Sequence, residues 1–464
     1  MKVVKVLGWM LLATFLLVAL LYLILVAINW QDRPPSAAVL RFEQIVASRP
    51  PVAADDNASV YILGFGAPTD ADPVDVGTRR MAWLEAFNPG TDRATDPLPI
   101  ALSFQDEGSP AVSHLGNACG QDADRLQCAS VFESMARAWQ PNDADALALR
   151  RYEALLTRRA WREVVPMDAA APWPPFSNVT HAQRLYLLRL GQWAAQGRVD
   201  EVRAGLDADF AFWRTAVPSA DSLIAQMIAV TALRQHFGYA NVILRGLPPE
   251  QALRAVPADW RREVSTGERS MKRAMAGEMA FWKGVMVETR RMAVEGTALA
   301  EEGPTVIERW TGYLTDPLFK MQDTMNRVAD RRLRLCEDFE APLNQYLRLR
   351  QAWDEAPNEY GHPQDFNLTV YNPVGHMILR IESPFTYVNY VMRTASVEGL
   401  RRAALLAVQL HAQSAASDAV DGLVANSDLR DPYTEKPFEW SAERRSVTFM
   451  SPDTRRSRRI EFFY

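Results

Sequence analysis

Apolar residues run almost unbroken from Leu7 to Ile28, with Lys2 and Lys5 as the only charges ahead of them. A helix rises about 1.5 Å per residue, so roughly 20 apolar residues cross the hydrocarbon of a bilayer. The run predicts a transmembrane helix over residues 7–29, with the lipid bilayer as its partner and residues 1–6 before it. A secretory leader has an apolar region of about 7 to 15 residues followed by a small-x-small cleavage site. This run is longer, Val26 and Ala27 offer no such site, and Trp30 suits the membrane interface. A retained signal anchor is the better reading. No second run of that length occurs, so the chain crosses once. Lysine and arginine excess stays on the cytoplasmic side, and Asp32 and Arg33 cancel after the span, which places the body outside the cytoplasm. A bacterial inner membrane with the body in the periplasm is the expected setting.

Past the joint at Arg33-Pro34-Pro35 the period of the pattern changes. Residues 37–48 read as a short helix. Ser59 to Gly66 is β-branched and aromatic, bounded by glycine, and reads as a strand or extended segment. From Asp70 to Pro110 the chain looks loop-rich, apart from a helix at Thr78–Phe87. Apolar positions three and four apart then dominate as far as Ser417. They predict helices over Asp122–Trp139, Asp143–Arg159, His181–Gln196, Val199–Val217, Ala220–Leu244, Trp260–Leu299, Asn326–Trp353 and Ser396–Ser417. After Ser417 aspartate, glycine and serine prevail to Asp428. Alternating Phe438, Trp440, Val447, Phe449, Ile460 and Phe462 then predict a small β-hairpin or three-stranded cap. The expected fold is mainly α: a transmembrane helix, a linker and mixed extended, loop-rich region over 30–120, an irregular α-helical extracytoplasmic body over 121–417 and a β cap over 418–464.

About 430 residues follow the anchor, more than one hydrophobic core usually holds. With 48% hydrophobic and 10% aromatic residues the body can bury real cores, which excludes a disordered tether. Charge excludes another class. Fifty-one basic residues against 56 acidic ones leave no drive towards nucleic acid, and Arg455, Arg456, Arg458 and Arg459 are too few to change that.

Between Trp193 and Glu201 the stretch WAAQGRVDE joins two amphipathic helices through Gly197, with Leu206 and Phe210 inward. It resembles one helix-turn-helix unit of the tetratricopeptide repeat. No second copy appears near a period of about 34 residues, so a single hairpin in an irregular α domain is expected.

Candidate chemistry is sparse. Cys119 and Cys128 enclose eight residues, and in an oxidising compartment they are expected to form a local disulfide, leaving Cys336 as a buried thiol. Met271, Met275, Met279, Trp282 and Met286 fall on one helical stripe. Thioethers in such a stripe could take Cu(I) or form a plastic surface for partner helices, but no His or Cys joins them, and a Met-rich core seam is the expected role. Asp70 and Asp72, with Asp75, form an acidic loop in which Pro73 and Val74 break any calcium-binding series. His362 with Asp365, and His376 after Asn372-Pro373, are the remaining polar pairs. Asp70, Asp72, His362, Asp365 and His376 would supply a hydrolase site only if the fold brings them together. No GxSxG, HExxH or phosphate-cradling glycine loop occurs, and no cofactor is implied.

The segment Asp431-Pro432-Tyr433-Thr434-Glu435-Lys436-Pro437-Phe438 resembles a DP-[FY]-[ST]-x-K-P-[LF] turn-strand signature near the ends of uncharacterised, membrane-anchored bacterial envelope proteins. FESMARAW and AFWRTAVPSADSLIAQMIAV are similar in character to their helical bodies. Glutamate stands where the turn usually has glycine. The resemblance implies an anchored helical envelope protein and transfers no catalytic residue. The expected function is a membrane-tethered extracytoplasmic interaction or scaffold protein with an envelope protein as partner. The alternatives are an anchored hydrolase and a metal-handling protein built on the Met stripe.

Overall fold

A computed structural model of the chain describes residues 2–86, 109–119, 124–164, 173–295, 306–356, 369–381, 385–414, 416–453 and 459–464. Among them are 18 α-helices and one three-stranded antiparallel sheet, so the mainly helical class and the small C-terminal sheet match expectation. α1 (Lys2–Ile28) carries the apolar stretch Val4–Ile28, which is long and apolar enough to cross a membrane and is largely exposed. α2 (Ala37–Ala47) starts at Ser36, whose hydroxyl accepts from Val39 N. α3 (Ala58–Leu63) and α4 (Pro73–Ala86) form a close pair, followed by α5 (Pro110–Ala118), α6 (Arg125–Ala138) and α7 (Asp143–Leu156). Three long helices come next: α8 (Phe176–Ala195), α9 (Val199–Ser219) and α10 (Leu223–Arg245). α11 (Pro249–Ala255), α12 (Lys272–Glu295), α13 (Val306–Thr315), α14 (Met321–Asp338), α15 (Tyr346–Glu355) and α16 (Pro373–Ile381) lead to α17 (Phe385–Ala412) and α18 (Ser417–Ala425).

α10 is the centre of the body. It packs on α8, α9 and α17, and its mean composition explains why: 15 of its 23 residues are buried, on all sides rather than on one stripe. Gly197 makes the α8–α9 turn at φ +72°, a conformation glycine reaches without penalty, and Leu206 and Phe210 point inward as the hairpin reading required. The sheet runs β1 (Glu439–Ser441), β2 (Ser446–Met450), β3 (Arg459–Phe463), with Val447 opposite Phe462 and Phe449 opposite Ile460. Its apolar face closes on α17 and α10. Phe449 lies over Gly399 of α17, and Asn241 of α10 pairs with the β3 backbone, its Nδ2 donating to Phe463 O at 2.9 Å and its Oδ1 accepting from Phe463 N at 2.8 Å.

Several element predictions are corrected. Ser59 to Gly66 is neither a strand nor an extended segment, because Ala58–Leu63 forms α3 with all six residues buried. Burial on every side removes the helical period that a pattern reading depends on. Gly64, read as a strand boundary, instead permits contact: a Cβ there would lie 1.7 Å from Pro73 O, and one on Gly77 would lie 1.9 Å from Val60 O. The expected helix Trp260–Leu299 is shorter. Trp260 sits in a 3-10 turn, and residues 262–271 form a bend tied by Arg214 to Glu268 at 2.6 Å before α12 begins. Asn326–Trp353 is two helices, α14 and α15, broken around Pro342. α17 begins eleven residues before Ser396, and the polar stretch after Ser417 is itself helical as α18.

Candidate functional site

Of the polar residues singled out in the sequence, the described ones, Asp70, Asp72 and His376, lie on different elements. Asp70 and Asp72 are exposed at the α3–α4 corner, where Asp72 Oδ1 accepts from Val74 N at 2.9 Å and so caps α4. His376 is in α16, facing Arg33, Asp323, Arg327 and Arg380, and burial together with Arg327 pushes its pKa below the usual value. His362 and Asp365 lie outside the described residues. Met271, Met275, Met279 and Met286 are all buried in the core, and Met279 Sδ faces Arg332 Nη1 at 3.5 Å, a cation rather than an open coordination position. Among the described residues no group of three or more His, Cys, Asp or Glu is arranged to hold a metal. Cys119 and Cys128 are disulfide-bonded, and buried Cys336 is free, its thiol pushed up to about 12 by burial.

A second cluster, unmarked in the sequence, has the outline of a catalytic pair. His236 Nδ1 is 2.8 Å from Asp209 Oδ2, and Tyr152 and Gln183 also donate to that carboxylate. The remaining valence decides its role. Trp260 Nε1 lies 3.0 Å from His236 Nε2, and an indole can only donate, so Nε2 is the acceptor and Nδ1 carries the proton to Asp209. Both ring nitrogens are engaged and the ring is fully buried. The cluster binds α7, α8, α9, α10 and the Trp260 turn together, with no position open to a substrate.

The most elaborate polar arrangement is where α1 meets the body. Asn29, just beyond α1, is buried; its Nδ2 donates to Val370 O at 2.8 Å and its Oδ1 accepts from Asn372 N at 2.7 Å. Asn372 is a hub, fully buried at φ +53°. Its Oδ1 accepts from Lys320 N at 2.8 Å and Gly375 N at 3.1 Å, and its Nδ2 donates to Asp323 Oδ2 and Thr324 Oγ1, each at 2.9 Å. Asparagine tolerates that backbone better than most residues, and Gly375 is required beside it, since a Cβ there would sit 2.2 Å from Thr324 Oγ1. Asp32 then accepts from Gln322 N at 2.8 Å and Asp323 N at 3.0 Å, capping α14 from another segment of the chain. Arg33 pairs with Asp323 at 3.3 Å, and Ser36 N donates to Asn326 Oδ1 at 2.8 Å. This collar fixes residues 29–36 to the first turns of α14 and α16. Asn372-Pro373 was visible in the sequence only as a neighbour of His376; the other partners lie some 290 to 340 residues from Asn29 and carry no local signal.

α13 stands against the same end of α1. Tyr22 OH donates to Leu314 O at 3.2 Å, while Trp310, Tyr313 and Leu314 present large apolar area to solvent. Comparison of the chain with protein-family models, with curated proteins and with solved structures finds no match. The functional reading therefore rests on the geometry of this junction.

Proposed function

We propose that the chain is a single-pass membrane protein whose helical body is an extracytoplasmic interaction or scaffold surface, held at a fixed attitude to the bilayer by the collar. The observation that carries this reading is the union of an exposed apolar helix with a buried polar lock at its exit. A cleaved or flexibly tethered leader has no use for such a lock. Exposed apolar side chains support the same reading. Trp30 is 79% exposed, Trp310 64%, Tyr313 58% and Met377 63%, and all lie on segments adjoining the outer end of α1. Aromatic rings at that level suit the headgroup region, with α13 as an interfacial helix beside the span. Orientation follows from Lys2 and Lys5 ahead of the span, and the Cys119–Cys128 bridge fits an oxidising compartment such as the bacterial periplasm. The partner in this proposal is another envelope protein, in keeping with the envelope-protein resemblance of the Asp431–Phe438 turn.

The test is topology in intact cells. Full-length chain should stay with membranes through alkaline carbonate extraction, and a reporter active only in the cytoplasm, fused after Tyr464, should be silent. Release by carbonate would remove the anchor, and a strongly active reporter would reverse the orientation.

A further inference from the structure

Between α6, α8, α10, α17 and β3 lies a cavity of about 220 Å³, bordered by the Cys119–Cys128 bridge. Its polar side is unusual in charge. Arg125, Arg184 and Arg234 all line it, against a single described carboxylate, Glu461. Glu461 is already held by Arg444 at 2.8 Å and Arg459 at 3.5 Å. Arg184 Nε donates to Gln235 Oε1 at 3.0 Å, a neutral partner. Among the described residues no carboxylate lies within 4.0 Å of the guanidinium of Arg125 or of Arg184, and burial holds Arg125 below its usual pKa. Guanidinium groups gathered in a partly enclosed cavity focus positive potential there, and charges removed from water without a counter-charge are costly. The cavity is lined as well by apolar Val242, Leu400 and Phe462.

We infer that this cavity is a binding site for a small organic anion, a carboxylate or phosphate monoester carried on a short apolar body. The charged head belongs against Arg125 and Arg184, whose planar donor arrays match carboxylate and phosphate oxygens, and the apolar part against Val242, Leu400 and Phe462. The volume limits the ligand, because drug-sized sites run to roughly 300–1,000 Å³. The site does not depend on the anchor and would stand if the membrane reading fell.

Titration calorimetry on the full chain in detergent micelles tests it, with phenyl phosphate and phenylacetate as anions and benzyl alcohol as the neutral probe. At least one anion should bind saturably and benzyl alcohol should not. Arg125→Gln and Arg184→Gln should each weaken binding by about tenfold or more, the loss expected for a charge-assisted contact. Gly238→Leu supplies a variant that spares the arginines: Gly238 lines the cavity, and a Cβ there meets nothing closer than Arg125 Nη1 at 4.0 Å. It should fill the space and abolish binding while the melting temperature holds. Binding of phenyl phosphate alone assigns the phosphate class, and binding of phenylacetate alone the carboxylate class. No binding of either anion at millimolar concentration overturns the proposal, as does equal binding of benzyl alcohol or undiminished binding by Gly238→Leu.

Discussion

Replacing Asn29 by alanine tests whether the collar couples the anchor to the body. The side chain satisfies two backbone groups across the junction, Asn372 N–H at 2.7 Å and Val370 C=O at 2.8 Å. They are not equal in consequence. Val370 is exposed, so its carbonyl can turn to water, whereas Asn372 is fully buried and its N–H would be orphaned. An unsatisfied buried donor costs about 1–3 kcal/mol, so Asn29→Ala should destabilise the folded body by about 2 kcal/mol and lower its melting temperature by a few degrees. Loss of attitude is the more specific consequence. Once Asn372 N–H is unpaired, the segment at φ +53° loses its tie to α1, and the anchor should swing about residues 29–32. Nitroxide labels at Leu12 on α1 and Asp200 on α9, in the full chain reconstituted into nanodiscs, report this as a distance distribution. The parent should give a narrow peak and Asn29→Ala a broad one. Asn29→Asp, which keeps the acceptor for Asn372 N, should fall between them. An unchanged distance distribution and melting point in Asn29→Ala would show that the collar carries no mechanical load, and the fixed-attitude reading would fail.

Two further substitutions probe the body. Glu163 is buried beside Asp221, and burial followed by the Asp221 charge raises its pKa to about 7 from the ordinary 4.5, so folding favours the protonated form. That contribution is complete below pH 4.5 and is lost as pH rises through 7, a span of 2.5 units or about 3 kcal/mol; chemical denaturation should show Glu163→Gln gaining on the parent by this order between pH 4.5 and 7, and a pH-independent difference would contradict it. Gly399→Ala places a Cβ 2.2 Å from the buried Phe449 ring, so an overpacking cost of roughly 1–3 kcal/mol should outweigh the roughly 1 kcal/mol gain in helix propensity, with Gly399→Ala/Phe449→Leu recovering part of the loss in thermal melts. A melting temperature unchanged by Gly399→Ala would refute the close seat of β2 on α17.

Legibility from sequence followed physical periodicity. The long apolar helix α1 is one unbroken run, and the α8–α9 hairpin around Gly197 and the alternating cap from Phe438 to Phe462 each bury one repeating face, so each was legible as an element. α3 was misread because Val60, Tyr61, Ile62 and Leu63 are all buried, leaving composition as the only cue, and β-branched composition favours a strand. The Trp260 and Pro342 interruptions were missed for a different reason. Arg214–Glu268, and the hydrogen bonds that Arg269 donates to Ala341 O at 3.0 Å and Tyr346 OH at 2.9 Å, stabilise bends between helices, and those partners are distant in sequence. The Cys119–Cys128 bridge was accessible because both ends are local. Asp32 and Arg33 entered the sequence reading only as flanking charges and Asn372 only as a neighbour of His376, since capping an α14 terminus with Asp32 is a tertiary event.

Titratable groups around α10 show how the same residue types come to serve different ends. His236 and Asp209 look reactive as a pair, yet every valence that chemistry would need is spent: Trp260 fills Nε2, and Tyr152, Gln183 and His236 crowd the carboxylate. Such a cluster costs desolvation and returns a defined alignment of α7, α8, α9 and α10. One turn along α10, Tyr239 lies in the wall of the cavity where no described carboxylate comes within 4.0 Å of Arg125 or Arg184. Burial without a contacting counter-charge is tolerable where space remains for one to enter, and the cavity provides that space. Valence therefore distinguishes the two clusters. A closed set of donors and acceptors belongs to the fold, and an open cationic set beside an apolar wall belongs to a ligand. Residue spacing does not encode that difference, because Asp209 and His236 sit 27 residues apart while Arg125 and Arg184 sit on separate helices.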